Sequence, residues 1–139
     1  MSAVKILAVD DNTADINLLR VALDEHEENY ELRILHAGDE ALRFVEAQKD
    51  GLMEPDLCVI LVDLHLPRYD GLAVLRGIRQ VAVLSHIQVI VLSGAASPAE
   101  RREISALGAI YRQKPFDIQG FFDLGAEILA ICKGFAVAA

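Results

Sequence analysis

Three runs along the chain are apolar almost without interruption. Val4-Lys5-Ile6-Leu7-Ala8-Val9 stops at two aspartates, Leu57-Cys58-Val59-Ile60-Leu61-Val62 stops at Asp63, and Ile87-Gln88-Val89-Ile90-Val91-Leu92 stops at Ser93-Gly94. Continuous runs rich in Val and Ile suit strands covered on both faces, as in a parallel sheet. Weaker strand patterns are predicted over 31–36 and 109–112. Between them the spacing turns helical: Ile16, Leu19 and Leu23, then Ala41, Leu42 and Val45, then Leu72, Leu75 and Ile78 after Asp70-Gly71. Ser97-Pro98-Ala99-Glu100 has the form of a helix start, with Ser97 as N-cap, Pro98 at the first helical position and Glu100 closing a capping box. Gly108 is placed to end that helix. A last helix is predicted from near Asp117, carrying Phe121, Leu124, Ile128 and Ile131 on one stripe.

Five strand–helix units in succession imply an α/β sandwich with right-handed crossovers. The expected fold is a flavodoxin-like (βα)5 doubly wound parallel sheet with strand order 2-1-3-4-5. Residues 1–139 read as one domain, with a core over about 4–133 and an apolar tail over 134–139. The segment 48–56, with Gly51 and Pro55, reads as a surface loop.

The polar residues that interrupt this pattern gather at strand ends. Asp10 and Asp11 end the first strand, Asp63 the third, Ser93 the fourth and Lys114 the fifth. Ligands of open α/β sheets bind at the carboxyl ends of the strands, where the strand order reverses. Strands one and three meet at that point, so Asp10, Asp11 and Asp63 would share a pocket. Crowded carboxylates repel, and hard oxygen ligands at this density suit Mg²⁺. Three carboxylates balanced by Mg²⁺ and Lys114 leave a neutral site able to take a phosphoryl group, and carboxylates are known nucleophiles for such groups. Singly, each residue has a plainer reading: Asp11 as a helix N-cap, Asp63 as a loop cap, Ser93 as a turn residue and Lys114 as a surface lysine. Their convergence on one sheet edge is what points to chemistry.

Val9-Asp10-Asp11-Asn12, Val62-Asp63-Leu64-His65-Leu66-Pro67-Arg68-Tyr69-Asp70-Gly71, Leu92-Ser93-Gly94-Ala95 and Gln113-Lys114-Pro115-Phe116 resemble, in order, the four signature segments of two-component response-regulator receiver domains. The resemblance covers the chain from Lys5 to about Lys133. It implies that Asp63 is the phosphoacceptor, that Asp11 ligates Mg²⁺ directly, and that Asp10 holds metal-bound water. It assigns the third protein ligand to the backbone carbonyl of His65. Ser93 matches the hydroxyl that moves onto the phosphoryl group and Lys114 the phosphate-pairing lysine, with a cis peptide to Pro115. Tyr111 matches the aromatic that turns inward on activation. The side chains of His65 and Ala95 stand where phosphoryl lifetime is tuned. A protein of this family takes its phosphoryl group from a sensor histidine kinase and signals by changing shape; it takes part in its own phosphoryl transfer and hydrolysis without being an enzyme. The stretch 63–71 and the long loop before strand three are also similar to those of stand-alone regulators paired with bacterial phytochrome kinases. Two rivals are a non-phosphorylated pseudo-receiver binding module and a phosphatase that forms an aspartyl-phosphate. The phosphatase class needs a second acid two residues after the nucleophile, where this chain has His65, and the pseudo-receiver would lack part of the acidic cluster.

Charge narrows the partners. Thirteen basic against 21 acidic residues give a net charge of −8, and DNA binding relies on clustered Lys and Arg. Arg101-Arg102, the densest basic spot, lies between Glu100 and Glu103 and reads as a solvated helix face, so no direct DNA binding is expected. No apolar run approaches the roughly 20 residues of a membrane span, and no signal peptide is visible; the expectation is a cytoplasmic protein. Cys58 and Cys132 have no metal-type spacing and give no reason to expect a disulfide. No effector segment is read after the receiver, and output is expected to pass through a downstream protein or self-association. The wide apolar arc of the last helix, with Phe122, Leu129 and Cys132 beside the stripe and the tail beyond, suggests a homodimer through that helix and tail.

Overall fold

The computed structural model describes residues 4–26, 29–50 and 57–134. Five parallel strands, β1 (Val4–Val9), β2 (Tyr30–Leu35), β3 (Val59–Asp63), β4 (Gln88–Ser93) and β5 (Ile110–Gln113), alternate with helices α1 (Thr13–His26), α2 (Gly38–Ala47), α3 (Gly71–Gln80), α4 (Pro98–Ala106) and α5 (Ile118–Cys132). The strand order is β2-β1-β3-β4-β5, as the sequence predicts. Short 3-10 turns follow α2 at Gln48–Asp50 and α3 at Ala82–Leu84; the rest of the expected loop, 51–56, lies outside the described residues.

The apolar runs are continuous because successive side chains feed two cores. Leu7, Val9, Ile60, Val62, Val89 and Val91 point to one face, where Val45, Leu75, Ile78 and Ile104 of α2, α3 and α4 cover them. Ile6, Ala8, Val59, Leu61, Ile90 and Leu92 point to the other, against Leu19 and Leu23 of α1 and Phe121 and Ile128 of α5. Alternation is a property of the strand backbone, and both sets are apolar because both faces are covered. Each such side chain, removed from water, contributes about 1.5–3 kcal/mol.

Helix starts follow the expected chemistry. Ser97 accepts from Glu100 N and Glu100 answers at Ser97 N, closing the capping box with Pro98 in the first turn. Gly108 takes φ +70° just past α4, a conformation that costs a side-chain-bearing residue but not glycine. Asp70 and Asp117 cap α3 and α5.

Two expectations are corrected here. No cis peptide occurs among the described residues, so Lys114–Pro115 is trans. The trans form is favoured by about 0.5–1 kcal/mol for X–Pro, and in it Lys114 N–H already reaches the Ser93 carbonyl at 2.9 Å. Cys58 and Cys132, 74 residues apart, form a disulfide with a Cα–Cα distance of 5.1 Å. The pairing arises because the end of α5 returns over the start of β3, a proximity that spacing along the chain does not reveal. The apolar arc of α5 is also largely accounted for within the subunit. Phe121, Leu124, Ile128 and Leu129 are buried, while Phe122, Ile131 and Cys132 pack against the same cluster. The tail beyond Gly134 lies outside the described residues.

Candidate phosphoacceptor and metal site

β1 and β3 are hydrogen-bonded neighbours, with Val9 level with Val62, so the residues that follow them, Asp10 and Asp63, emerge side by side at the carboxyl edge of the sheet. β4 pairs with β3 and places Ser93 next along that edge; β5 follows with Gln113 level with Ser93, and Lys114 comes directly after. The site therefore stands where the chain reverses its direction of winding across the sheet.

Asp10, Asp11 and Asp63 each offer a carboxylate oxygen, and these oxygens lie within 4.8 Å of one another, a grouping that fits a divalent cation. Asp11 is exposed while Asp10 and Asp63 are buried. Asp11 is not the helix cap. That role falls to Asn12, whose Oδ1 accepts from Asp15 N at 3.1 Å, and Asp11 is left facing the open side. Burial raises the pKa of Asp10 and the charge of Asp63 adds to the rise, against the pull of Asn12 N–H and Lys114. A cation between the carboxylates would relieve both.

Asp63 is tied at both oxygens. Oδ1 accepts from His65 N at 3.0 Å and Oδ2 from Lys114 Nζ at 2.9 Å. The loop after β3 is held from below by Gly71, whose N–H donates to Leu64 O at 2.8 Å. A Cβ at Gly71 would stand 2.5 Å from Asp63 O, so only glycine lets α3 begin this close to the acceptor. Arg68, with φ +73°, reaches Asp39 at 2.8 Å and fastens the outer part of the loop to α2.

Lys114 meets three carboxylates: Asp15 Oδ2 at 2.7 Å, Asp63 Oδ2 at 2.9 Å and Asp10 Oδ2 at 3.2 Å. Burial alone would lower its pKa, but hydrogen bonds to Asp15 and Asp63 outweigh that and raise it. The ammonium is charged at any ordinary pH.

Ser93 Oγ donates to Ala95 O at 2.7 Å and accepts from Ala95 N at 3.1 Å. His65 donates from Nε2 to the same Ala95 carbonyl at 3.3 Å, so its ring turns toward the β4–α4 loop. Tyr111 is half-buried; its hydroxyl donates to Ser93 O at 3.1 Å, and the Arg101 guanidinium lies 4.9 Å above its ring. Arg101 thus has a specific partner rather than only a solvated face.

All the residues singled out from the sequence stand at this edge. Asp15 was missed. Its signal was its place in the first turn of α1, four residues after Asp11, where side chains tilt back toward the strand end.

A model of the response regulator receiver domain matches residues 6–124. The chain belongs to the response regulator receiver domain family. Receiver domains as a class signal rather than catalyse, and they bind a divalent cation through their acidic cluster. Among curated relatives, the response regulator Rcp1 of Synechocystis sp. is 39% identical over 88 residues, 63% of this chain and 60% of Rcp1. The transcriptional regulatory protein TrcR of Mycobacterium tuberculosis is 33% identical over 85% of this chain and 42% of its own length. This receiver domain thus spans about half the length of the curated relatives it matches. Among solved structures, the phosphorylated cyanobacterial phytochrome response regulator RcpA has a TM-score of 0.83 at 28% identity, covering 98% of both chains. The Mn²⁺-bound form of Rcp1 has a TM-score of 0.80 at 29% identity, covering 97% of this chain and 99% of that one. Among the described residues, no helix is long and apolar enough to cross a membrane.

Proposed function

We propose that this receiver domain takes a phosphoryl group from a sensor histidine kinase onto Asp63 and signals by a shift in loop conformation. The observation that carries this reading is the joint placement of the Asp63 carboxylate, the Lys114 ammonium at 2.9 Å and the cation-ready group Asp10, Asp11 and Asp63. An Asp63 oxygen attacks phosphorus, the P–N bond of the phosphohistidine breaks, and the imidazole leaves. Mg²⁺ is the proposed cation, with Asp11 as its direct ligand, Asp10 holding its water, and Asp63 and the His65 carbonyl completing the protein's share. When bound it would supply positive charge for the transferring group. Lys114 is set to take a phosphoryl oxygen by leaving Asp63 Oδ2, and charge placed where it develops is the main requirement of phosphoryl transfer.

Ser93 and Tyr111 form the proposed switch. A phosphoryl group adds about −1.5 to −2 charge units and strong acceptors. For Ser93 to bond it, the hydroxyl must give up the Ala95 carbonyl, and Tyr111 is attached to Ser93 through its carbonyl. His65, on the same Ala95 carbonyl, is proposed to tune phosphoryl lifetime, with the domain assisting its own hydrolysis.

The kinase is proposed to be of the phytochrome type, supported by the likeness to the cyanobacterial phytochrome response regulator RcpA. The compartment is proposed to be the cytoplasm. Output would pass to a downstream protein or through self-association. Phosphotransfer from a purified bacterial phytochrome kinase, followed with and without excess EDTA, tests the reading. Labelling of Asp63 that needs the divalent cation is expected; full labelling in EDTA would reject the metal role.

A further inference from the structure

Asp15 lies outside the group that converges for a cation, yet it makes the shortest of the three ion pairs on Lys114, 2.7 Å against 2.9 and 3.2 Å. The pair is well placed to matter. Both side chains are about four-fifths shielded, at 20% and 18% exposure. Beneath them, a cavity of about 20 Å³ is walled by Leu19, Leu61, Leu92, Phe121 and Leu124. Apolar walls leave a charge pair less screened than it would be in water.

Asp15 changes the charge of the site. Asp10, Asp11 and Asp63 with Lys114 and a divalent cation sum to zero; with Asp15 the sum is −1 before any phosphoryl group arrives. Asp15 does two opposing things. It helps hold the ammonium at the sheet edge, and it draws that ammonium away from an anion on Asp63. Holding is redundant, because Asp10 and Asp63 contact the same nitrogen. Drawing away is opposed only by the contact with Asp63 Oδ2, the one that a phosphoryl group on Asp63 would replace.

Resting on the phosphoacceptor reading, we infer that Asp15 is a positioning residue acting through Lys114: it competes with the phosphoryl group for the ammonium and sets how tightly the site holds cation and anion. Its negative charge favours the cation and disfavours the anion. Removing it should move the two affinities in opposite directions, a signature that simple damage to the fold would not produce, since damage weakens both.

The test uses the full chain and its Asp15→Asn, Asp15→Ala, Asp15→Glu and Glu25→Gln variants, with folding checked by circular dichroism. Glu25 is an exposed carboxylate of the same helix and controls for net charge alone. Mg²⁺ affinity is measured alone, and beryllofluoride affinity at saturating Mg²⁺. The expected result for Asp15→Asn and Asp15→Ala is weaker Mg²⁺ binding by about two- to fivefold and tighter beryllofluoride binding by about three- to tenfold, the scale of one nearby charge in a partly shielded site. Asp15→Glu should return toward wild type, and Glu25→Gln should change neither. The inference is overturned if both affinities fall together, if neither changes, or if Glu25→Gln reproduces the effect. Wild type that binds beryllofluoride and is labelled on Asp63, beside Asp15 variants without the opposed shifts, leaves the phosphoacceptor reading standing and removes this inference alone. Wild type that does neither removes both.

Discussion

Asp10 shows the trade that a metal-ready site imposes on a single residue. It is buried among like charges and its pKa is raised, so its ionised form works against folding at neutral pH. The sign follows from linkage: a carboxylate with a folded pKa above its unfolded value costs stability above that pH range, and the cost disappears as pH falls and the group is protonated. Asp10→Asn should therefore stabilise the metal-free domain at pH 7 by about 1 kcal/mol, a few degrees in Tm. The gain should vanish near pH 3, and the variant should bind Mg²⁺ more weakly. Thermal melts in EDTA at the two pH values check this; a loss of stability at pH 7 would show that the hydrogen bond to Asn12 N outweighs the burial of charge. Ser93 is the second case. Its hydroxyl is committed to Ala95 at rest and touches no carboxylate among its hydrogen bonds. Ser93→Ala is expected to be phosphorylated at nearly the wild-type rate while amide NMR shifts in the α4–β5 region on beryllofluoride binding shrink markedly. Undiminished shifts would remove Ser93 from the switch.

At the scale of elements, the joints around α3 and α4 carry information that no single motif does. Arg79 at the end of α3 donates to the carbonyls of Leu107 and Gly108 after α4 and to those of Ser85 and Ile87 before β4. Burial lowers its pKa, but a guanidinium stays charged, and four carbonyls share that charge. Arg79→Met keeps the aliphatic length and strands those acceptors, so a loss of about 2 kcal/mol is expected in urea unfolding. A cost near zero would mean that water replaces the guanidinium. The sequence shows the apolar stripe of α3, Leu72, Leu75 and Ile78, but not what Arg79 beside it contacts. Periodicity reports which side of a helix is buried, not which distant carbonyls a buried-edge cation will reach. The same limit hid Asp15: its type and position were visible, while its partner Lys114, 99 residues away just past the end of β5, depended on the assembled sheet. Helix caps were legible because they are local, as Ser97, Pro98, Glu100 and Gly108 show; β1 matches its expected limits, while those of the other four strands slipped by one or two residues because pairing, not composition, sets them.

For the whole molecule, the order β2-β1-β3-β4-β5 could be anticipated because parallel strands of unequal burial and right-handed crossovers leave few arrangements. That order alone brings Asp10, Asp63, Ser93 and Lys114 together from four strand ends. What it did not disclose is the Cys58–Cys132 link, which ties the end of α5 to the start of β3 across 74 residues. A crosslink closing so long a loop restricts the unfolded chain, and its loss is expected to lower stability by about 2–4 kcal/mol. Comparing urea midpoints with and without a thiol reductant, against Cys132→Ser, checks this; equal midpoints would mean that the link contributes nothing to the folded state. The central claim, that Asp63 receives the phosphoryl group, is tested most directly by intact-protein mass spectrometry after treatment with a small-molecule phosphodonor and Mg²⁺. Wild type should gain the mass of one phosphoryl group and lose it on standing or base treatment, while Asp63→Asn should stay unmodified under the same conditions. Equal labelling of Asp63→Asn, or an unmodified wild type in the presence of both donor and Mg²⁺, would contradict it.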